Sequence, residues 1–292
     1  MKTLEQIREA MTQRGLADYY EQLAPFARNL IRITPEACDD GDIPVGASKF
    51  GGCPDLPAGV EWFGYGVDDC YLDFVAQINF AQTAPFDTAH KLPERGMLYF
   101  FYDGAFDSRY PYFNSGKWVN WKLYFYDGDL SALSRREPPA GFGEFENGRL
   151  YGAARMYFEA DLELPPMESD LVLYRTFPDD KESYRRYLDW QEETDPGCYS
   201  QMLGHAHVML NGFERACECL RQGLDCFEPS LQELEDRGLD RDLRHWQVLL
   251  QVDSDRRTGM IWSDMGWLCL WITDEDLAAR RFGNCLVMTE SG

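Results

Sequence analysis

The residues of this sequence best placed to do chemistry are Lys49, Gly51, Gly52, Gln77, Asn79, Gln251 and Asp253. In Ser48-Lys49-Phe50-Gly51-Gly52-Cys53-Pro54-Asp55 two glycines follow a lysine. Glycine takes positive φ without strain, so such a loop can turn successive N–H groups toward an anion beside the ammonium. The phosphate-loop spacing G-x4-G-K-[ST] is absent. The competing reading is a glycine turn that leads an extended proline segment onto a sheet edge, and it needs no ligand. Gln77 and Gln251 stand in apolar strands, each two residues before an amide or acid, Asn79 or Asp253. Strands related by a pseudo-twofold axis could bring these polar groups to one cleft. Hydrogen bonds to a neighbouring strand would satisfy them equally well, and that is the preferred reading.

Metal ligands and nucleophiles are poorly supported. Asp253-Ser254-Asp255 and Asp264 flank a hairpin pattern, DSDRRTGMIWSD. Alternate acids can chelate Ca²⁺ or Mg²⁺, but the full D-x-D-x-D-G loop is missing, and Arg256 and Arg257 are placed to neutralise the acids. His205-Ala206-His207 on a strand would put both imidazoles on one face, yet no third ligand follows at a recognisable spacing. Cys217, Cys219 and Cys226 are spaced C-x-C-x6-C, unlike the usual zinc pairs, on a helical pattern where positions two apart face different sides. The expectation is no metal and no cofactor. With four histidines and no G-x-S-x-G, a Ser-His-Asp or Cys-His apparatus has no local support, and no catalytic residue is assigned. Trp246, Trp262, Trp267 and Trp271 read as β-sheet core.

Charge limits the partners. Twenty-eight Lys and Arg stand against 50 Asp and Glu, a formal net charge of −22 over 292 residues. That field repels phosphate backbones and anionic lipid, so neither nucleic acid nor a membrane surface is expected as partner; a basic protein would be attracted. Part of the excess is local, with 11 acidic and 4 basic side chains from Asp161 to Asp195. Nine cysteines, an odd number without an export signal, read as reduced thiols of a cytoplasmic protein. No apolar run approaches the ~20 residues of a membrane span.

The elements that must position these residues are legible in outline. Residues 3–24 repeat at helical period with a break at Gly15, and ARNLIRIT reads as a strand ended by Pro35. Aromatic-rich strands follow to about residue 175: YLDFVAQINF, GMLYFFYD, WKLYFYDGD and YGAARMYFEADLEL. DKESYRRYLDWQ, FERACECLRQG and SLQELEDRG are helical patterns. The chain closes with strands RHWQVLLQVD, GWLCLWI and NCLVMTE, and a short helix capped by Thr273 with Asp276 lies before the last. Blocks of strands with helices elsewhere predict an α+β, β-rich fold of antiparallel sheets in a roll-like arrangement with peripheral helices. FGGCPDLP, FVAQINF and RGMLYFFYD are echoed in order by LGHAHVM, VLLQVDS and MGWLCLWIT. The echo predicts a tandem duplication within one domain over 1–292, its halves at about 30–175 and 200–290, with Gln77 and Gln251 equivalent.

SKFGGCPDLP, FVAQINF, LPERGMLYFFYD, LLQVDSD and GMIWSDMGWLCLWITDEDLAARRFGN, in this order, resemble the YwqG-like family, a bacterial domain of unknown function. The resemblance implies a β-rich α+β fold with a tandem duplication. It brings no catalytic residue, and the sequence departs from the family's LGYP-like turn where it reads LGHAHVMLN. The expected function is a non-catalytic protein-binding module with an acidic surface, in one version an immunity-like protein that neutralises a basic toxin. The alternative is an enzyme with its site between the halves, built from Lys49, Gln77, Gln251 and Asp253.

Overall fold

The structure, a computed structural model, describes residues 1–64, 71–103, 120–143, 148–170, 172, 176–177, 180–194, 197–208, 213–224, 236–238 and 243–290. Cys70, Asp179, Cys226 and most of SLQELEDRG lie outside them. The aromatic and β-branched runs form strands. These are β1 (Arg28–Ala37), β2 (Lys49–Phe50), β3 (Asp55–Leu56), β4 (Asp73–Asn79), β5 (Met97–Tyr102) and β6 (Trp121–Tyr126), then β7 (Ser134–Arg135), β8 (Ala154–Glu163), β9 (Gln201–Leu203), β10 (Trp246–Asp253), β11 (Trp267–Thr273) and β12 (Leu286–Glu290). The helices are α1 (Leu4–Gln13), α2 (Ala17–Leu23), α3 (Phe80–Thr83), α4 (Lys181–Glu193), α5 (Phe213–Arg221) and α6 (Asp274–Ala278). Among the described residues no helix is long and apolar enough to cross a membrane.

The fold is α+β and strand-rich. Ten strands form one sheet in the order β12-β11-β10-β9-β1-β8-β2-β4-β5-β6, while β3 and β7 make a separate pair. Neighbours run antiparallel throughout. The sheet curls almost into a barrel, and its two edges approach where Phe125 of β6 meets Phe282, ring centroids 5.3 Å apart, in the turn before β12. Alternation sorts the side chains. On β5, Leu98, Phe100 and Tyr102 join an interior cluster to which all ten strands contribute, while Met97, Tyr99 and Phe101 point outward beneath Trp62 and Leu133. Outside β10 and β11, Trp246, Trp267 and Trp271 form a third cluster, whereas Trp262 belongs to the interior. α1, α2 and α4 pack on the outer face with Leu164 and Met167.

Local signals hold at several points. Gly15, at φ +71°, separates α1 from α2, and the Thr273 side chain accepts the Asp276 N–H to start α6. Pro35 is a correction: it does not end β1, which continues to Ala37 and pairs Pro35 with Met156 of β8. The other flank explains why. The Ile33 N–H donates to Ser200 O at 2.9 Å, but β9 pairs β1 only from Leu30 to Arg32. The proline nitrogen, on the same side two residues later, therefore faces no strand and leaves no acceptor unmet.

Candidate functional site

All seven sequence-selected residues make structural bonds, beginning with Lys49. It lies opposite Gln77 across the β2–β4 pair and is wholly buried, donating to Asp40 Oδ1 at 2.6 Å and to Cys53 O at 2.6 Å. Burial lowers its pKa against the opposing pull of Asp40 and Asp55. Gln77 accepts the Asp55 N–H at 2.8 Å and donates to Ala47 O and Asp55 Oδ2, each at 2.7 Å. Arg135 donates to Asp55 Oδ1 at 3.0 Å, and the Tyr99 hydroxyl closes on Asp55 O. Asn79 donates to Gly46 O at 2.7 Å and caps α3 through Ala81 N. Gly51 and Gly52 turn the chain at φ +57° and +67°, and the Gly52 N–H goes to Tyr151 O and the Cys53 N–H to Asp40 Oδ2. These donors serve the protein's own acceptors, so the loop is a polar clasp on the outer face of β4.

Gln251 lies elsewhere, because β2, β8, β1 and β9 separate β4 from β10. Lys49 and Gln77 are brought together; Gln251 and Asp253 do not join them. Yet the bonding around Gln251 repeats that around Gln77. Each glutamine follows a strand irregularity by two residues, at Val75 and at Leu249. Gln251 accepts the His207 N–H at 3.1 Å as Gln77 accepts that of Asp55. Gln201 stands across from Gln251 and donates to His205 O at 2.6 Å as Lys49 does to Cys53 O. Leu203 and Gly204 repeat the positive φ of Gly51 and Gly52, at +60° and +78°. The His205 N–H goes to Glu163 Oε1 at 2.7 Å as the Cys53 N–H goes to Asp40. Asp253 accepts the Tyr199 N–H at 3.0 Å, and Asp255 is neutralised by Arg257 at 2.8 Å. Residues 205–208 are irregular, not strand, so the two imidazoles are not set side by side. His205 Nε2 lies 2.8 Å from Phe26 O, and the His207 ring packs on Tyr199, centroids 4.6 Å apart. Among the described residues no three His, Cys, Asp or Glu are grouped to hold a metal.

The second clasp differs from the first in opening onto a cleft of about 260 Å³ between α1, α4 and the end of β8. Ile7, Leu162, Leu164 and Leu188 line it with apolar surface, and Glu163, Glu168, Glu192, Arg32, Lys2, His205 and His207 supply the polar groups. Arg32 is committed to Asp161 at 3.0 Å, with Lys2 3.8 Å from the same carboxylate. Among the described residues no cation bonds Glu163, Glu168 or Glu192. Burial pushes the Glu163 carboxyl up to about 7, against the His205 N–H and Arg32, and burial also raises Glu168. Because Nε2 must donate to the Phe26 carbonyl, the His205 ring carries its proton there. Its Nδ1 has no partner although the residue is only 2% exposed. Burial, aided by Arg28, drives the His205 pKa well below its usual value, so the ring is neutral.

The sign of the Glu163 shift fixes a pH effect. Between its ordinary 4.5 and about 7 the native carboxyl keeps a proton that the unfolded chain has lost, so stability falls as pH climbs through that window. Glu163→Gln keeps an acceptor for the His205 N–H and removes the penalty. At pH 8 the variant is expected to gain about 1–2 kcal/mol, discounted from ~1.4 kcal/mol per pKa unit because the cleft admits solvent. The gain should disappear at pH 5. Urea unfolding at both pH values checks this; an equal gain at both would assign the effect to packing.

Sequence reasoning missed Glu163, Arg32 and Tyr199. The available signal was Gly204: a Cβ there would strike Glu163 Oε1, so the glycine marks a carboxylate laid against the turn. The acid-rich stretch 161–195 is partly neutralised inside the fold. Asp161 pairs with Arg32, Asp170 with Arg215, Glu182 with Arg186 and Glu193 with Arg14, while Asp180 caps α4 and accepts the Tyr19 hydroxyl. Asp189 and Glu192, both exposed on α4, have no such partner among the described residues. Residues 48–290 match the family model described as a domain of unknown function, DUF1963. Among curated proteins the chain has no match.

Proposed function

We propose that this chain, which belongs to the DUF1963 family of unknown function, is a non-catalytic module that binds a basic protein. The observation that carries the reading is the cleft beside α4, whose Glu163, Glu168 and Glu192 lack cation partners among the described residues while the nearby Asp161 and Glu193 are paired. Carboxylates at a site rim draw in a cationic surface and speed its encounter, and the net charge of −22 extends that field. The enzyme built from Lys49, Gln77, Gln251 and Asp253 lacks this support, since the four lie in two separate places and each already bonds a backbone group, only Gln251 Nε2 lacking a partner. An immunity-like role against a basic toxin, a cytoplasmic location and the YwqG-like likeness are finer parts of the same proposal. So is descent by duplication, which the matched bonding around Gln77 and Gln251 supports.

A labelled arginine-rich peptide, with an acidic peptide of equal length as control, tests the reading. The basic peptide should bind, with association slowing at least tenfold between low and physiological salt. Reversing Asp189 and Glu192 to lysine should slow association further without shifting the unfolding midpoint. Binding that ignores both salt and the reversals would defeat the proposal.

A further inference from the structure

Resting on that reading, we infer that the cleft beside β8 receives one arginine side chain of the basic partner, its guanidinium shared between Glu163 Oε2 and His205 Nδ1. Three observations support it. First, the two acceptors are fixed relative to one another, because the His205 N–H holds Glu163 Oε1 at 2.7 Å and leaves Oε2 unbonded. Second, both lack a donor: Nδ1 of a ring only 2% exposed is an orphan, and an unmet buried acceptor costs free energy until a ligand supplies the hydrogen. Third, the surroundings fit an aliphatic stem that ends in a flat cation. Ile7, Leu162, Leu164 and Leu188 offer apolar wall, and Tyr199, its ring tilted at 49° against His207, offers an aromatic side chain. A volume near 260 Å³ is below that of sites for drug-sized ligands, as a pocket for a single side chain should be. A carboxylate oxygen and a ring nitrogen on neighbouring groups favour the planar, several-donor guanidinium over the compact ammonium of lysine.

The seated cation requires Glu163 as carboxylate, so a protonated Glu163 gives up its proton to solvent when the arginine enters. The charged and titratable groups facing it are Arg28, Arg32, Lys2 and Asp161 from the flanking elements, Tyr187 of α4, and His205, His207, Glu168 and Glu192 around the cleft. His205 remains neutral and is not the source of the proton.

The experiment is calorimetric titration with a short peptide carrying one arginine, repeated in buffers of different ionisation enthalpy, beside the citrulline and lysine versions. The arginine peptide should bind about tenfold more tightly at pH 8 than at pH 6 and release protons near pH 7. Citrulline should lose the binding, and lysine should bind more weakly. E163Q should bind at least tenfold more weakly with no proton release. On the unsubstituted protein, the His205 Nδ1 ¹⁵N resonance should move on binding, which reads the contact without relying on a variant. Proton release that survives in E163Q, unchanged affinity in E163Q or a still Nδ1 resonance would overturn this assignment and leave the basic-partner reading standing. A lysine peptide that binds as well as arginine would overturn the guanidinium choice. Failure of every cationic peptide, even at low salt, would overturn the underlying reading.

Discussion

Asp55→Ala is expected to cost about 3–5 kcal/mol, enough to unfold much of the protein at ordinary temperatures. Asp55 is wholly buried, and its carboxylate collects the Gly46 N–H at 2.9 Å, Gln77 Nε2 at 2.7 Å and Arg135 Nε at 3.0 Å. Alanine strips the Gly46 N–H of its acceptor, leaves Gln77 Nε2 with Ala47 O alone, and leaves the mostly buried Arg135 guanidinium with only the more distant carboxylate of Asp40, 3.6 Å away, and a weakly compensated buried charge is costlier than the lost pair. The corollary is non-additivity. Asp55→Ala combined with Arg135→Met should cost less than the two single changes summed, because no buried charge is left with its nearer partner removed. Urea unfolding of the four proteins measures the cycle. A cost below about 1 kcal/mol for Asp55→Ala would mean that water replaces the carboxylate and that the clasp adds little.

Gly51→Ala should cost about 2–4 kcal/mol, combining left-handed strain with a collision. The collision is with backbone, since a Cβ at Gly51 would be driven into the Gly152 carbonyl. Two other positions separate these contributions. Leu203 holds φ +60° in the matching turn of the second clasp, so the conformation alone is tolerated by a residue with a side chain. Gly59 has φ +81° with nothing within 4 Å of where a methyl group would sit, so Gly59→Ala should cost only ~1–2 kcal/mol. Thermal unfolding of the two alanine variants decides it; equal losses would show that strain, not the approach of residue 152, requires glycine at 51.

The strands were legible because their aromatic and β-branched runs are long and bounded by turn residues, as in Met97–Tyr102. The helix start at Thr273 was legible because capping acts within one turn of chain. Which strands neighbour which was not. β1 sits between β8 and β9, a pairing fixed by curvature and burial over long separations that local period does not encode. Gln77 and Gln251 could be matched by type and spacing, but not located on opposite flanks of β1 and β8. The cleft was invisible for the same reason. Glu163 looks like any polar residue of an alternating strand until the turn at Gly204 is folded over it.

The central place of β1 also has a kinetic consequence. It is made before the other eleven strands, yet Ala37 pairs with Ala154, Arg28 with Glu163 and Leu30 with Leu203. The strand that joins the two flanks of the sheet therefore waits, with Leu30, Ile31 and Ile33 exposed, until β8 and β9 have been made. Non-local pairing of this kind makes for slow folding and a long-lived sticky edge during synthesis. Arg28, Arg32 and Glu36 interrupt the apolar run along β1, and charges so placed hinder pairing with a stray chain during the wait.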